Sequence, residues 1–319
     1  MANHEDRGFN TVNNSSLSRR DQRLKLQRMT LLLIGGLMVL MVVTLMVLVI
    51  GYFVSSGSSD EQDPSKTPNK LVWEEKTVSV KDTLIGDLVL VNSTHEYTFP
   101  SNEAHLTKIA KSDNYKTGEG IQMDATALKA ADAMLTALGN KDVELKEAYR
   151  TKKMQEELSS STLPGFSDHH TGLLCRIEGD DQAQAWLLEN AHTYGFVQRY
   201  PADKAETTGV SSYAAAYRYV GIAHATYMKQ NNLCLEEYIA YLKANVTADK
   251  PLSIKGADGH NYEVYYYAVS GDTTVKYPTN AVYTVSGTND GGLVITVDRT
   301  AAVNTAETTA DTAADTSAN

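Results

Sequence analysis

Residues 180–200 read "DDQAQAWLLENAHTYGFVQRY". Residues 180–195 fit one helix closed by Gly195, and "FVQRY" behind it reads as a strand. Working outward, "DATALKAADAMLTALG" (124–139) is a second amphipathic helix. Asp124 is its N-cap, Leu128, Leu135 and Leu138 form its apolar face, and Gly139 stops it. "DLVLVN" (87–92) suits a buried strand, and "VELKEAYR" (143–150) alternates weakly, as a strand does. "GIAHATYMKQNN" and "CLEEYIAYLKAN" extend the helical set. From Pro251 the texture turns to β, with "NYEVYYYAVS", "GDTTVKYPTN" and "AVYTVSGTNDGGLVITV" separated by Gly-Asp, Asn and Asn-Asp-Gly turns. No internal repeat and no phosphate-binding glycine loop interrupts this order.

The chain has 319 residues and a formal charge of -10. That balance argues against nucleic acid as a partner, because phosphate binding needs a basic surface. Two cysteines, Cys175 and Cys234, are too few for a disulfide scaffold. Near the start, "MTLLLIGGLMVLMVVTLMVLVIGYFV" (29–54) is uncharged and long enough for a hydrocarbon core of roughly 30 Å. Arg19, Arg20, Arg23, Lys25 and Arg28 precede it, whereas Asp60, Glu61 and Asp63 follow. The asymmetry predicts a single-pass cell-membrane anchor with the C-terminal part extracytoplasmic. The organisation expected is a cytoplasmic tail (1–28), a transmembrane helix (29–54), a Ser/Gly/Pro linker (55–70) and a main domain (71–248). A β extension (249–299) and a disordered Ala/Thr/Asp tail (300–319) follow.

The densest polar cluster is "GFSDHHTGLLCRIEGDD" (165–181), which by composition alone reads as a solvated loop leading into a strand. Its order among other segments says more. "LVLVNSTH" (88–95), "AYRTKKMQ" (148–155), "SDHHTGL" (167–173), "WLLENAHTYGFVQRYPADKAETTG" (186–209) and "YRYVGIAHA" (217–225) occur in succession. Together they resemble the extracytoplasmic zinc D,D-carboxypeptidases of the VanY type over roughly residues 85–245. The resemblance implies an α+β fold with helices around a small antiparallel sheet, preceded here by one transmembrane helix and followed by a small β unit. It implies, as partner, a peptidoglycan stem peptide ending in D-Ala-D-Ala, and zinc as cofactor.

Carried over residue by residue, His169 takes the place of the family's first zinc ligand, with Ser167 and Gly172 also matching. The family's aspartate ligand, seven residues on, is Arg176 here. Its glutamate–proline–tryptophan–histidine run is Tyr213-Ala214-Ala215-Ala216, so the general base is replaced by Tyr213 and the third ligand by Ala216. Arg150, Gln155 and Ser167 match the substrate wall, although the preceding serine–glycine is Glu147-Ala148. Asn190, His192, Arg199 and Tyr200 match as framework. The expectation is a degenerate, non-catalytic wall-peptide binder that has lost its zinc. One alternative is an active zinc carboxypeptidase with ligands rebuilt from His170, Cys175 or His224; a second is a surface scaffold acting through the β extension.

Overall fold

Asp124 accepts hydrogen bonds from the amides of Thr126 (2.9 Å) and Ala127 (3.0 Å). It thereby satisfies donors that every helix start leaves bare. The helix it opens, α1 (Ala125–Leu138), ends at Gly139 with φ 67°, a left-handed turn that glycine makes without a Cβ penalty. The computed structural model describes residues 70–158, 162–211, 213 and 215–301. The expected cytoplasmic tail, transmembrane segment, linker up to residue 69 and most of the C-terminal tail lie outside the described residues. Among the described residues no helix is long and apolar enough to cross a membrane.

In chain order the strands of the first part are β1 (Trp73–Val78), β2 (Leu106–Lys108), β3 (Lys116–Thr117), β4 (Gln122–Asp124), β5 (Glu144–Glu147), β6 (Leu174–Glu178), β7 (Phe196–Gln198) and β8 (Ala216–Tyr219). The later helices are α2 (Lys152–Glu156), α3 (Asp181–Asn190), α4 (Ala205–Thr208), α5 (Ile222–Gln230) and α6 (Leu235–Asn245). The chain then runs through β9 (Leu252–Lys255), β10 (Asn261–Ala268), β11 (Thr273–Pro278), β12 (Val282–Gly287) and β13 (Gly292–Asp298).

A five-stranded sheet in the order β3-β5-β6-β8-β7 forms the centre. All its pairs are antiparallel except β3–β5. Leu135 of α1 and Leu187 of α3 pack with Leu145, Ile177, Phe196 and Tyr217 of the sheet in one buried cluster. A second sheet, β12-β13-β10-β9, uses both faces. Its side chains alternate, as strand geometry requires. Val264, Tyr266 and Val294 join a cluster with Met228, Tyr238 and Leu242 of α5 and α6. Tyr265, Leu293, Ile295 and Val297 instead meet Val78 and Val275 of the two-stranded ribbon β1–β11. Residues 249–299 are thus sandwiched between elements from both ends of the preceding chain, and they share a core with α5 and α6.

Several local expectations change in detail. "DLVLVN" (87–92) is buried but is not a strand. The Leu88 amide donates to Ser286 Oγ (2.8 Å) and the Leu90 amide to the Thr288 carbonyl (3.1 Å). Arginine side chains take the carbonyls of Asp87, Val89 and Val91. A short apolar run reports burial, not the partners of its backbone. The helix expected over 180–195 is α-helical to Asn190 and then tightens into a 3-10 turn to Tyr194 before Gly195. Thr300 and Ala301 are not loose, because both their amides donate to Asp298 Oδ1. Cys175 and Cys234 are buried free thiols.

His224 of α5 ties three elements together. Its ring bonds Tyr238 Oη of α6 (2.7 Å) and Thr296 Oγ1 of β13 (2.9 Å). Burial pushes its pKa down to about 4. The unfolded chain takes up the proton near the ordinary value of about 6.5. The contribution is therefore fully present above about pH 6.5 and is lost as pH falls toward 4, about 3 kcal/mol in all. Urea unfolding at pH 7 and pH 4 should show a loss larger by about that amount in the unmodified protein than in His224→Gln. Equal losses would remove His224 from the explanation.

Candidate functional site

The first part of the cluster at 165–181 is buried, not solvated, and only its end, 179–181, is exposed. Ser167, Asp168, His169, His170 and Thr171 are all at most 6% exposed. Asp168–Thr171 forms a 3-10 turn ending at Gly172, whose φ is 72°. A Cβ there would meet the Asp124 amide nitrogen at 3.2 Å and Leu106 Cδ2 at 2.6 Å, so a side chain would have to displace Leu106 as well as adopt a strained backbone conformation.

The Asp168 carboxylate holds this turn in place. It accepts from Arg199 Nε (2.6 Å) and from Arg218, and all three side chains have 0% exposure. Arg199 continues to Glu236 through two nitrogens (2.9 and 2.8 Å). Arg218 reaches the carbonyls of Asp87 (2.9 Å) and Val89 (3.2 Å). One carboxylate thereby joins the turn to β8, to α6 and to the 87–91 segment. Arg199 is framework, as the sequence suggests; the roles of Asp168 and Arg218 were not legible.

His169 is buried behind Glu147. Its Nδ1 lies 2.6 Å from the Ala148 carbonyl, an acceptor only, so Nδ1 bears the proton. Nε2 is therefore a bare acceptor, buried and without a partner. Burial, with the Arg150 charge beside it, pushes the His169 pKa down to about 4. This is the arrangement of a metal-ready histidine, one nitrogen fixed by a carbonyl and the other free.

The remaining ligand positions contradict it. Arg176 pairs in register with Ala216 on one side and with Glu147 on the other. Residues opposite each other in register project from the same face. Ala216 is fully buried with no coordinating group. The Arg176 guanidinium pairs with Glu178 and lies 5.7 Å from the centre of the Tyr213 ring. Its Nε is buried without a partner. Tyr213 stacks on Tyr200 at 6.3 Å.

Rebuilding from neighbours is not what the structure shows. His170 donates from Nδ1 to the Arg150 carbonyl (2.6 Å) and accepts the Gly165 amide on Nε2 (3.0 Å). Cys175 points into the core of the central sheet. His224 is spent on Tyr238 and Thr296. Among the described residues no group of three His, Cys, Asp or Glu side chains is placed to hold a metal. The residues present do not fit a zinc ion.

Arg150 stands where the sequence placed it, nine-tenths buried, but its donors are occupied. Nε (3.2 Å) and a terminal nitrogen bond Glu147 Oε1, and the other terminal nitrogen bonds Gln155 Oε1. Gln155 is held in turn by the Thr162 carbonyl at 2.9 Å. Burial works against ionisation of Glu147, but the Arg150 bond and the neighbouring cationic side chains outweigh it and hold its carboxyl below the usual range. Glu147 Oε2 also lies 3.9 Å from His169 Nε2. Glu147 was the residue missed: its only signal was a carboxylate three places before Arg150 at a strand end. Beside it, a cleft of about 430 Å³ is lined by Gln122, Lys146, Glu147, Tyr149, Met154 and Arg176.

A mixed sheet thus carries a buried histidine turn, with a cleft lined by Glu147 and Arg176 beside it. Comparison with known proteins shows which family shares this arrangement. The VanY pattern, described as D-alanyl-D-alanine carboxypeptidase, matches residues 138–222. A D-alanyl-D-alanine carboxypeptidase of Enterococcus faecium is 33% identical over 246 residues, covering 70% of this chain and 79% of the relative. The bifunctional D-Ala-D-Ala dipeptidase and carboxypeptidase VanXYC of Enterococcus gallinarum is 29% identical, over 51% of this chain and 98% of its own. The crystal structure of the D,D-dipeptidase VanXYg, in complex with a D-Ala-D-Ala phosphinate analog, superposes with a TM-score of 0.62 at 25% identity. It covers 71% of this chain and 99% of that one. The chain belongs to the VanY-type D-alanyl-D-alanine carboxypeptidase family.

Proposed function

We propose that this protein is a cell-surface binder of peptidoglycan stem peptides ending in D-Ala-D-Ala that keeps the carboxypeptidase fold without its hydrolysis. The observation that carries this is the register: Arg176 and Ala216 face each other where two of the family's zinc ligands would stand. An arginine about 4 Å from a divalent cation would cost about 8 kcal/mol at an effective dielectric near 20, twice the unit-charge value. Ala216 offers nothing in return. A lone histidine leaves zinc without the roughly three protein ligands a catalytic site needs. Tyr213 cannot act as the missing carboxylate base. What remains is a cleft lined by polar side chains, Gln122, Glu147, Tyr149 and Arg176 among them, with the matching positions Arg150, Gln155 and Ser167 buried behind it and a histidine with one free acceptor.

The expected result is an as-purified protein with far less than one zinc per chain that releases no D-alanine from a pentapeptide. Restoring Arg176→Asp, Ala216→His and Tyr213→Glu together should recover metal binding. Stoichiometric zinc in the unmodified protein, with chelator-sensitive D-alanine release, would favour the active-enzyme reading. The placement outside the membrane, tethered by residues 29–54, belongs to the same proposal and rests on the charge asymmetry around that segment. Protease added to intact, wall-stripped cells should remove the C-terminal part, and full protection would defeat the placement.

A further inference from the structure

We propose that the free carboxylate end of a bound peptide is received by Lys146 and Arg176, a clamp that the chain's own Glu178 fills until the peptide arrives. The inference rests on the cleft being the peptide-binding site proposed above. The Glu178 carboxylate shows what the two cations hold. Lys146 Nζ donates to its Oε2 at 2.7 Å, and a terminal nitrogen of Arg176 donates to its Oε1. One carboxylate thus spans both cations with an oxygen on each, and a peptide C-terminus presents the same two oxygens. The Lys146 bond holds the Glu178 carboxyl below the usual range, so the placeholder is charged at neutral pH.

An irregularity of β5 brings the two cations together. Its register against β6 pairs Leu145 with Ile177 and Glu147 with Arg176, which leaves Lys146 as an extra residue. In such a bulge two residues oppose one, so Lys146 and Glu147 both stand against Arg176. Lys146 and Arg176 line the cleft, with side chains 47% and 34% exposed, and Glu178 is 32% exposed. Ion pairs open to solvent hold weakly, so Glu178 can swing into water and leave both cations to the peptide. Arg150 offers no such exchange. It is buried, and each nitrogen of its guanidinium is bound to Glu147 or Gln155. The same bonds occupy the Glu147 carboxylate, so its charge on the cleft wall is opposed. The other acid of the lining, Glu119, is exposed, where solvent screens it.

The test uses the full-length chain in mild detergent, titrated with diacetyl-L-lysyl-D-alanyl-D-alanine and with the same peptide amidated at its C-terminus. The unmodified protein should bind the acid at least about threefold more tightly than the amide. Glu178→Gln removes the competing charge, and it should tighten the acid about two- to fivefold while leaving the amide unchanged. Damage to the fold does not produce such a gain. Lys146→Met and Arg176→Gln should each weaken the acid at least about threefold and leave the amide unchanged. The acid-to-amide preference is a ratio that partial loss of folded protein does not alter. Equal binding of both peptides by the unmodified protein overturns the clamp while leaving the peptide-binding reading intact. So does an acid affinity that Glu178→Gln fails to raise, or that Lys146→Met and Arg176→Gln fail to lower. If no variant binds either peptide at about 10 mM, the peptide-binding reading falls and this inference falls with it.

Discussion

Replacing Asp168 with alanine is expected to lower the unfolding midpoint by about 6–20 °C. The carboxylate sits between Arg199 and Arg218, and all three side chains are sealed from solvent. Removing one partner of a buried ion pair leaves charge uncompensated and costs about 3–5 kcal/mol. For a chain of this size each kcal/mol moves the midpoint by about 2–4 °C. Here two arginines lose their shared partner at once, although Arg199 keeps Glu236 and Arg218 keeps backbone carbonyls. Asp168→Asn should recover part of the loss, since an amide oxygen can still accept one bond. Thermal unfolding followed by circular dichroism measures it directly. A midpoint within about 2 °C of the unmodified protein would mean that solvent reaches the two guanidiniums.

The second large effect concerns the boundary at residue 249. A fragment spanning 71–248 contains every residue of the cleft, yet it is expected not to fold. Without the following strands, Met228, Tyr238 and Leu242 lose their contacts with Ile254, Val264, Tyr266 and Val294. Burial of such side chains contributes about 1.5–3 kcal/mol each. Four of them together approach the whole net stability of a domain, about 5–15 kcal/mol. The fragment also strips Leu88 of Ser286, Leu90 of Thr288 and His224 of Thr296. Gel filtration and amide exchange should report an aggregated or unprotected chain. A monomeric fragment with cooperative unfolding would show that the helices and central sheet suffice.

Much of this fold was legible because its signals are local. Asp124 and Gly139 bracket α1 as a cap and a left-handed stop, features that depend on neighbours two or three residues away. β10 and β13 announce themselves by composition. The candidate site was legible only as positions: His169, Arg150, Gln155, Arg176, Tyr213 and Ala216 do meet at one end of the central sheet. Their state was not. Whether Arg150 is open or filled depends on Glu147, and no periodicity encodes that a carboxylate at a strand end turns back onto an arginine. The same holds for Asp168, which looks like one acid in a polar run and is in fact the most enclosed charge of the turn. The change of texture at Pro251 was real, but it marks a change of secondary structure within one shared core.

The pairing of β1 with β11 joins Trp73 to Pro278 and Val78 to Thr273. In a chain made from its N-terminus at about 5–20 residues per second, the first strand of the ribbon waits on the order of 10–40 s for the second to be synthesised. Throughout that interval Val78 has no layer to close against, and its edge is open to any other extended segment. The ribbon closes only once residues 273–278 have been made, so the earliest strand of the fold waits unpaired on one of the latest.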